Sequence, residues 1–292
     1  MTSIFETLKH LQLTSEKTKE LFSSSTRDVE ELNVFRDKES GIIYIDNFYV
    51  GDTVYVDGKY RSNSSKKNFS KINDPQVEID ATRRFDDFKH LCDGKAILDF
   101  GCGEGIFLQK MKELASQVIG IELQENFLSN LSANGIHAHN TLGEISDESL
   151  DVIFLFHVFE HLPKPLETLE ELRKKLKKGG LLILEVPHAN DFLLSFLKID
   201  SFKKFTLWSQ HLVLHTKESI KVMLDWGKFN KIKVEGAQRY PLSNHIHWIH
   251  SDEPGGHFKE VAVIDSKNLH QTYEASLDKI NATDTIVAYG IK

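Results

Sequence analysis

Three glycines at alternate positions, Gly101, Gly103 and Gly105, stand in the stretch ILDFGCGEGIF at residues 97–107. Glycine adopts a positive φ without steric cost and lets a ligand approach the main chain, while a helix that begins directly after such a loop offers unpaired N–H groups. An acidic residue, Asp99, stands just before the glycines. The stretch therefore predicts a ligand-binding loop between a buried strand and a helix.

Two known uses of such a loop fit this stretch poorly. A phosphate-binding loop ends in Gly-Lys followed by Ser or Thr, whereas Ile106 and Phe107 follow the last glycine here. A dinucleotide fingerprint, GxGxxG, needs a third glycine at position 106. Glu122 ends the next apolar run, QVIGIE, and an acid there suits the ribose of a dinucleotide as well as that of another adenosine ligand. A nicotinamide-dependent oxidoreductase therefore stays an alternative.

The segment LDFGCGEG resembles the [acidic]-x-G-x-G-x-G loop of class I S-adenosylmethionine-dependent methyltransferases. The segment HNTLGEISDESLDVIFLFHVFEHLPKP resembles the family's path from the adenine-binding loop to the fourth strand and its HVxEHL ending. A third segment, FTLWSQHLVLHTKESIKVMLDWGKF, is similar to the HLxxFTxxSLxxLLxxxGF pattern of the small-molecule and surface-sugar subgroup, although His215 replaces the usual aromatic residue before Thr216. The resemblance covers residues 76–240 and implies S-adenosylmethionine as the cofactor. By this resemblance, and by the place of the two acids, the cofactor-binding residues are Asp99, Gly101, Cys102, Gly103, Glu122, Leu123, Thr141, Leu142, Phe156 and His157.

From residue 76 onward, apolar strand-like runs alternate with amphipathic segments. This alternation predicts an α/β fold with a doubly wound, mostly parallel, seven-stranded Rossmann-like sheet and helices on both faces. The helix after Pro165 is predicted to run to Gly179, with its lysines near the negative end of the helix dipole.

The N-terminal region differs in pattern from the rest of the chain. Residues 1–36 show apolar spacings of three and four, which predict helix, and residues 41–60 carry the turn signals of two or three short antiparallel strands. The polar run RSNSSKKNFSKINDPQ predicts a loop or linker. We therefore expect a cap, lid or dimer contact at residues 1–75 and a methyltransferase domain at residues 76–292.

A substrate-side insertion is predicted at about residues 239–283, where this fold usually has a short hairpin. A metal site is one interpretation, since His245 and His247 would point the same way on a strand. A half-buried loop packed by histidines is a second. Acceptor binding is a third, with an aromatic side chain stacked on the acceptor ring and an arginine against a phosphate. The candidate substrate-binding residues are His188, His211, Arg239, His247 and Trp248.

Methyl transfer to a hydroxyl releases a proton, so a general base is useful. Histidine, with an ordinary pKa of about 6.5, suits that role. His161 and His157, in the HVFEHL ending, are the first candidates, and His188, His211 and His245 follow. The predicted acceptor is a hydroxyl of a nucleotide-linked sugar or a surface-polysaccharide precursor. A non-catalytic scaffold that binds the cofactor is a further alternative.

Composition narrows the classes of partner. The 292 residues carry a net charge of -7, which disfavours a nucleic-acid substrate. The two cysteines, Cys92 and Cys102, form no zinc-type pair, so no metal is assigned from them. No apolar run is long enough to cross a membrane, and the N-terminus lacks the pattern of a secretion signal. These features predict a cytoplasmic protein that binds a small molecule, with a homodimer as one expected assembly.

Overall fold

The computed structural model describes residues 3–58 and 75–292. The strands in these ranges are β1 (Lys19–Ser23), β2 (Val34–Asp37), β3 (Ile43–Ile45), β4 (Ala96–Phe100), β5 (Gln117–Ile121), β6 (His137–His139), β7 (Leu150–Phe156), β8 (Leu176–Pro187), β9 (Val213–Leu214), β10 (Asn230–Ala237) and β11 (Thr285–Ile291). The α-helices are α1 (Ile4–His10), α2 (Asp52–Val56), α3 (Pro75–Cys92), α4 (Ile106–Met111), α5 (Glu125–Ala133), α6 (Pro165–Lys175), α7 (Asp200–Thr206), α8 (Lys217–Trp226), α9 (Leu242–Ser251) and α10 (Lys267–Lys279). Nearly all of the predicted polar loop lies outside the described residues.

The large sheet has seven strands in the order β10-β11-β8-β7-β4-β5-β6. Strands β4 to β8 pair in parallel, while β11 runs antiparallel to both β8 and β10. The α/β fold with a seven-stranded, mostly parallel sheet is therefore confirmed. The order of the strands reverses between β4 and β7, which is where an open sheet of this kind forms its ligand crevice.

Alternate residues of the central strands face two separate cores. Leu98 and Ile153 pack with side chains of α6 and α8 on one face of the sheet. Ile97 and Val152 pack with side chains of α3, α4 and α5 on the other face. Since successive strand residues point to opposite faces, an apolar run such as AILDF is buried on both sides, and helices cover both faces as predicted.

The N-terminal region forms a second, antiparallel sheet of four strands in the order β1-β2-β3-β9. The helix predicted over residues 1–36 is therefore wrong except at Ile4–His10, because residues 19–23 and 34–37 pair with each other as strands. Of the strands predicted at residues 41–60, Ile43–Ile45 is present, but Asp52–Val56 is a helix. Strand β9 comes from the C-terminal part of the chain, so this sheet ties the two predicted domains together.

The lysine-rich segment after α6 also departs from the prediction. The helix ends at Lys175, and the chain continues directly as β8 from Leu176, which pairs with Leu150 of β7. Leu176 is fully buried in the core. Because of this packing, the residues predicted as the last turn of the helix belong to the sheet. Gly179, with a φ of +80°, therefore lies within a strand and does not end the helix. No helix in residues 3–58 or 75–292 is long and apolar enough to cross a membrane.

Candidate functional site

A cavity of about 1110 Å³ lies at the carboxyl ends of β4, β5, β7 and β8. One end, called here the glycine half, is lined from residues 100–104, 121–123, 140–142 and 156–158. The other end, called the histidine half, is lined from residues 160–163, 202–211 and 239–258. Tyr49, Asp52 and Tyr55 of the N-terminal region also line the cavity, so that region contributes to its wall.

The glycine loop is held in place by the end of β5. The N–H groups of Gly101 and Cys102 both donate to the Ile121 carbonyl, at 2.8 and 3.0 Å. Gly101 has a φ of +78°, and a Cβ atom on it would lie 2.5 Å from a methyl group of Val158. Glycine is therefore required here by the backbone conformation and by the space available.

Glu122 is fixed by main-chain donors. Its carboxylate accepts hydrogen bonds from the N–H groups of Gly103 at 2.9 Å, Leu123 at 2.7 Å and Gln124 at 3.0 Å. The side chain is buried and lines the cavity. This arrangement orients a carboxylate toward the ligand space, where its remaining acceptor capacity suits a pair of hydroxyl groups.

Asp99 lies beneath the loop and is not among the residues that line the cavity. Its side chain is 4% exposed, and its Oδ1 atom has no hydrogen-bond partner among the described residues. Burial raises the pKa of this carboxyl to about 7. A ligand that brings positive charge to the loop would favour the ionised form of Asp99.

The other residues predicted to bind the cofactor all line the cavity. In the glycine half the cavity is lined by Gly101, Cys102, Gly103, Glu122, Leu123, Thr141, Leu142, Phe156 and His157. Cys102 packs closely against Gly120, since a Cβ atom on that glycine would lie 2.6 Å from its sulfur. Burial raises the pKa of the Cys102 thiol, so this cysteine is a packing residue and not a reactive thiol.

His157 directly follows β7 and has a left-handed conformation, with a φ of +55°. Its Nδ1 atom lies 3.4 Å from the Glu160 carboxylate and its Nε2 atom 3.4 Å from that of Glu185. Burial alone would lower the pKa of His157, but these two carboxylates raise it above its ordinary value. Glu185 is in turn bound by Arg83 and Arg84 of α3. His157 is thus held between two acids that favour its protonated form, and an imidazolium has no lone pair with which to accept a further proton.

Glu160, His161 and His211 converge in the wall of the histidine half. Each offers one donor atom, and these atoms all lie within 4.8 Å of one another. Glu160 is fully buried. Burial would raise the pKa of its carboxyl, but the imidazoles of His161 and His157 lower it to about 2, so Glu160 carries a negative charge. Burial lowers the pKa of His211 to about 3, so His211 is neutral.

Backbone carbonyls fix the orientation of both imidazoles in this cluster. The Nδ1 atom of His161 lies 2.8 Å from the Gln210 carbonyl, and that of His211 lies 3.3 Å from the Thr206 carbonyl. A carbonyl only accepts, so both Nδ1 atoms carry a hydrogen, and in a neutral ring the Nε2 atom is then the one with the lone pair. The cluster therefore presents two imidazole lone pairs beside one carboxylate.

The structure separates the residues predicted to bind the acceptor into two groups. His211, Arg239 and Trp248 line the cavity, whereas His188 and His247 do not. His245, a candidate base, also lines it. His188 is 2% exposed, its Nδ1 atom donates to the Thr283 carbonyl at 2.9 Å, and burial lowers its pKa to about 4. It is a core residue in this fold.

The strand expected at His245 and His247 is wrong, because both residues lie on helix α9. Residues two apart on a helix point to different sides, so these two imidazoles cannot share one ion. The Nδ1 atom of His245 lies 2.6 Å from the Tyr273 hydroxyl, and burial lowers the pKa of His245 to about 4. The insertion that carries them is helical at α9 and α10, and its inner face closes the cavity.

Arg239 is bound to a carboxylate of the protein. Its Nε atom lies 2.9 Å from both oxygens of Asp80, and its Nη2 atom makes a further short contact with the same carboxylate. Asp80 is 4% exposed. The guanidinium charge is thereby largely compensated, so the structure does not support Arg239 as a counter-ion for an acceptor phosphate.

Sequence analysis missed several residues that shape the cavity. Glu160 was visible within HVFEHL, but nothing in the sequence distinguished it from a surface acid. Arg84 precedes the glycine loop by one strand, and its guanidinium lies 4.4 Å from the centre of the Phe156 ring while it binds Glu185. Asp191, whose pKa burial raises to about 8, also lines the cavity. The sequence did indicate a helix that leads into the first strand of the sheet, and this was the available signal that Arg84 could lie near the site.

The fold and cavity together define a doubly wound α/β domain with an adenosine-type ligand site at the switch point of its sheet. A family model described as "Methyltransferase domain" matches residues 76–232, which is more than half of the chain. The chain therefore belongs to this family, the class I S-adenosylmethionine-dependent methyltransferases.

Curated relatives match shorter stretches. A probable S-adenosylmethionine-dependent methyltransferase of Mycolicibacterium smegmatis is 31% identical over 108 residues, covering 35% of this chain and 42% of that protein. A ubiquinone biosynthesis O-methyltransferase of Idiomarina loihiensis is 30% identical over 107 residues, covering 33% of this chain and 44% of that protein. The chain thus spans less than half the length of these two relatives.

Among solved structures, a SAM dependent methyltransferase from Archaeoglobus fulgidus aligns with a TM-score of 0.49 and 19% identity. The alignment covers 75% of this chain and 95% of that one.

The residues of the glycine half fit the cofactor that the family uses. Gly101 leaves no room for a side chain, which brings the main chain to the cavity surface. The buried Glu122 carboxylate suits the ribose hydroxyls, and Asp99, whose Oδ1 atom has no hydrogen-bond partner among the described residues, suits a ligand that carries positive charge. The NAD-type alternative has no comparable support, since Ile106 begins helix α4 where a third glycine would stand.

Proposed function

We propose that this chain transfers a methyl group from S-adenosylmethionine to a hydroxyl of a small, ring-shaped acceptor. One observation carries the proposal: a single cavity joins the glycine loop and Glu122 at one end to the Glu160, His161 and His211 cluster at the other. Its volume of about 1110 Å³ exceeds that of a pocket for one drug-sized ligand, typically about 300–1,000 Å³, so it suits a cofactor together with a small acceptor.

In this proposal the glycine half holds the cofactor. Glu122 accepts the ribose hydroxyls, Thr141 and Leu142 border the adenine, and Phe156 and His157 border the methionine end. When bound, the cofactor supplies an electrophilic methyl carbon on its sulfonium. The contribution of the protein is to orient the two reactants, because alignment alone removes much of the entropic barrier of such a displacement.

The histidine half is proposed to hold the acceptor against aromatic walls. The ring of Trp248 lies 5.1 Å from that of Phe202 and 5.2 Å from that of Phe205, between ring centres. Flat aromatic side chains of this kind stack on sugar or aromatic rings. A hydroxyl of a nucleotide-linked sugar or polysaccharide precursor is the first candidate. A hydroxyl on an aromatic ring is the second, because several relatives carry the name ubiquinone biosynthesis O-methyltransferase.

In the simplest mechanism His161 accepts the proton that the hydroxyl loses. Since Nδ1 donates to the Gln210 carbonyl, the lone pair of the neutral ring is on Nε2. Glu160, whose carboxylate lies 3.8 Å from that Nε2 atom, would stabilise the imidazolium that forms. His157 and His245 are weaker candidates, because the first lies between two carboxylates and the second is bound to Tyr273 and has a lowered pKa.

Calorimetric titration with S-adenosylhomocysteine, with NADH as the control ligand, tests the cofactor half of the proposal. We expect binding of S-adenosylhomocysteine alone. Glu122→Gln should weaken it by about 10–100-fold, since a hydrogen bond to a charged group contributes about 1.5–3 kcal/mol. Glu125→Gln, an exposed acid three residues away, is the matched control and should change nothing.

An acceptor screen tests the other half. Nucleotide sugars and catechols would be incubated with the protein and S-adenosylmethionine, and formation of S-adenosylhomocysteine measured. Turnover of either class supports the proposal and chooses between the two candidates. Binding of NADH in place of S-adenosylhomocysteine would contradict it.

A further inference from the structure

The cluster of Glu160, His161 and His211 contains polar atoms that make no hydrogen bond with the described residues. Both carboxylate oxygens of Glu160 are buried and neither has a hydrogen-bond partner among the described residues. Nδ1 of His157 lies 3.4 Å from this carboxylate and Nε2 of His161 lies 3.8 Å from it, but neither contact is a hydrogen bond. Leaving a buried charged group without hydrogen bonds is costly, so such an arrangement indicates a missing partner. That partner has to be a donor or a cation that enters from the cavity, because Glu160 lines the cavity wall.

The two imidazoles beside Glu160 are arranged as ligands. Their Nδ1 atoms are tied to the carbonyls of Gln210 and Thr206, which leaves the Nε2 lone pairs available. Metal-bound histidines nearly always donate their second ring N–H to a carbonyl, carboxylate or water in this way. Since the donor atoms of all three residues lie within 4.8 Å of one another, small side-chain movements would bring them to the spacing of about 3.4 Å that a tetrahedral ion with bonds of about 2 Å requires.

We propose that Glu160, His161 and His211 bind one zinc ion in the wall of the histidine half. Two imidazoles and one carboxylate form a donor set that zinc accepts readily, whereas magnesium and calcium prefer oxygen ligands. Three protein ligands leave a fourth position that faces the cavity. This inference rests on the proposed function, in that the acceptor's hydroxyl oxygen would occupy that position. The ion would lower the pKa of that hydroxyl, so its proton would pass to solvent water, and His161 would then be a ligand and not the proton acceptor.

The surroundings of the cluster bear on its charge. The nearest other titratable group is His157, whose Nδ1 atom lies 3.4 Å from Glu160. Arg27 lies beyond, with its guanidinium 4.3 Å from the centre of the Trp208 ring, and Trp208 separates it from the imidazoles of His161 and His211. Glu185 is the other nearby acid and is already bound by Arg83 and Arg84. Glu160 therefore supplies the negative charge available to an ion at this point.

The test is zinc binding by the intact chain after treatment with a chelator. Calorimetry should show one zinc ion per chain, and Co²⁺, used as a spectroscopic substitute, should give visible absorption bands of a protein-bound ion. Glu160→Gln and His211→Ala should each weaken zinc binding by more than about 100-fold, since even the outer partners of metal ligands typically contribute 10–100-fold. His250→Ala, an exposed histidine on α9, is the matched control and should bind zinc as the wild type does.

Titration with S-adenosylhomocysteine on the same samples distinguishes failure of the zinc site from failure of the proposed function. Unchanged binding in the variants shows that they are folded, so that a loss of zinc is local to the cluster. A wild-type chain that binds S-adenosylhomocysteine but no zinc, or a His211→Ala variant that binds zinc normally, would overturn the metal site and leave the proposed function standing. A wild-type chain that binds zinc but not S-adenosylhomocysteine would support the site and contradict the proposed function.

Discussion

In the glycine half of the cavity the polar contacts come largely from the main chain of residues close in sequence, whereas in the histidine half they come from side chains of distant segments. The loop at Gly101 and the carboxylate of Glu122 are held by backbone N–H and carbonyl groups. In contrast, the Arg239 guanidinium is held by Asp80, 159 residues earlier in the chain. A main-chain site tolerates changes of side chain around it, while a site built from paired charges fails when one partner is removed.

The largest effect is expected from the ion pair that braces the histidine half. Asp80→Asn would leave the partly buried Arg239 guanidinium without its counter-charge, and breaking a buried pair typically costs about 3–5 kcal/mol of unfolding free energy. Denaturant unfolding monitored by fluorescence measures this loss. The matched control on the same helix is Asp86→Asn, which removes an exposed pair with Lys89 and should have little effect. Equal losses in the two variants would show that the Asp80–Arg239 pair is no more important than a surface contact.

A smaller effect is expected from the loop of the glycine half. In Gly101→Ala the new residue has to adopt a positive φ and its Cβ atom also has to displace Val158. In Gly179→Ala only the positive φ is unfavourable, because no atom lies within 4 Å of the Cβ atom that alanine would add there. The difference in unfolding free energy between the two variants should be about 1–3 kcal/mol, which is the usual cost of overpacking. Binding of S-adenosylhomocysteine should fall in Gly101→Ala alone. Identical behaviour of the two variants would mean that Val158 moves away without cost.

The contrast between the halves also explains which parts of the molecule were predictable from sequence. The glycine loop was predictable, because alternate glycines indicate a backbone conformation that few other residues adopt. The sheet was predictable as well, since AILDF and DVIFLF are apolar runs that suit a buried parallel strand. Glu122 was predictable because its place at the end of β5 follows from the topology.

The rest depended on contacts between distant segments. Strands β1 to β3 are short, and they complete their sheet with β9, so local spacing at residues 19–37 favoured a helix that tertiary pairing overrides. The alternation of His245 and His247 indicated a strand, although the buried residues of α9, among them His245 and Trp248, follow a helical period. The Glu160 cluster joins the end of β7 to residue 211, and no local pattern relates those positions.

Two buried aspartates offer the finest comparison of the halves, because their pKa values shift in opposite directions. Burial would raise the pKa of Asp80, but Arg239 lowers it below the ordinary 3.8, so its contribution to stability is present above that value and is lost as the pH falls. Burial raises the pKa of Asp99 to about 7, because the charge of Arg84, which favours the ionised form, does not offset it. Between pH 4 and 7 the folded chain therefore holds a proton on Asp99 that the unfolded chain has released.

The folded state should accordingly lose stability through Asp99 as the pH rises from about 4 to 7, by at most ~1.4 kcal/mol per pH unit for one proton. Asp99→Asn removes the titrating group, so the difference in unfolding free energy between this variant and the wild type should grow in favour of the variant across that range. Denaturant unfolding at several pH values measures it, with Asp93→Asn, an exposed aspartate, as the control. A difference that stays constant with pH would show that Asp99 is ionised in the folded chain, and a compensating charge for it would then have to exist in the glycine half, as it does for Asp80 in the other.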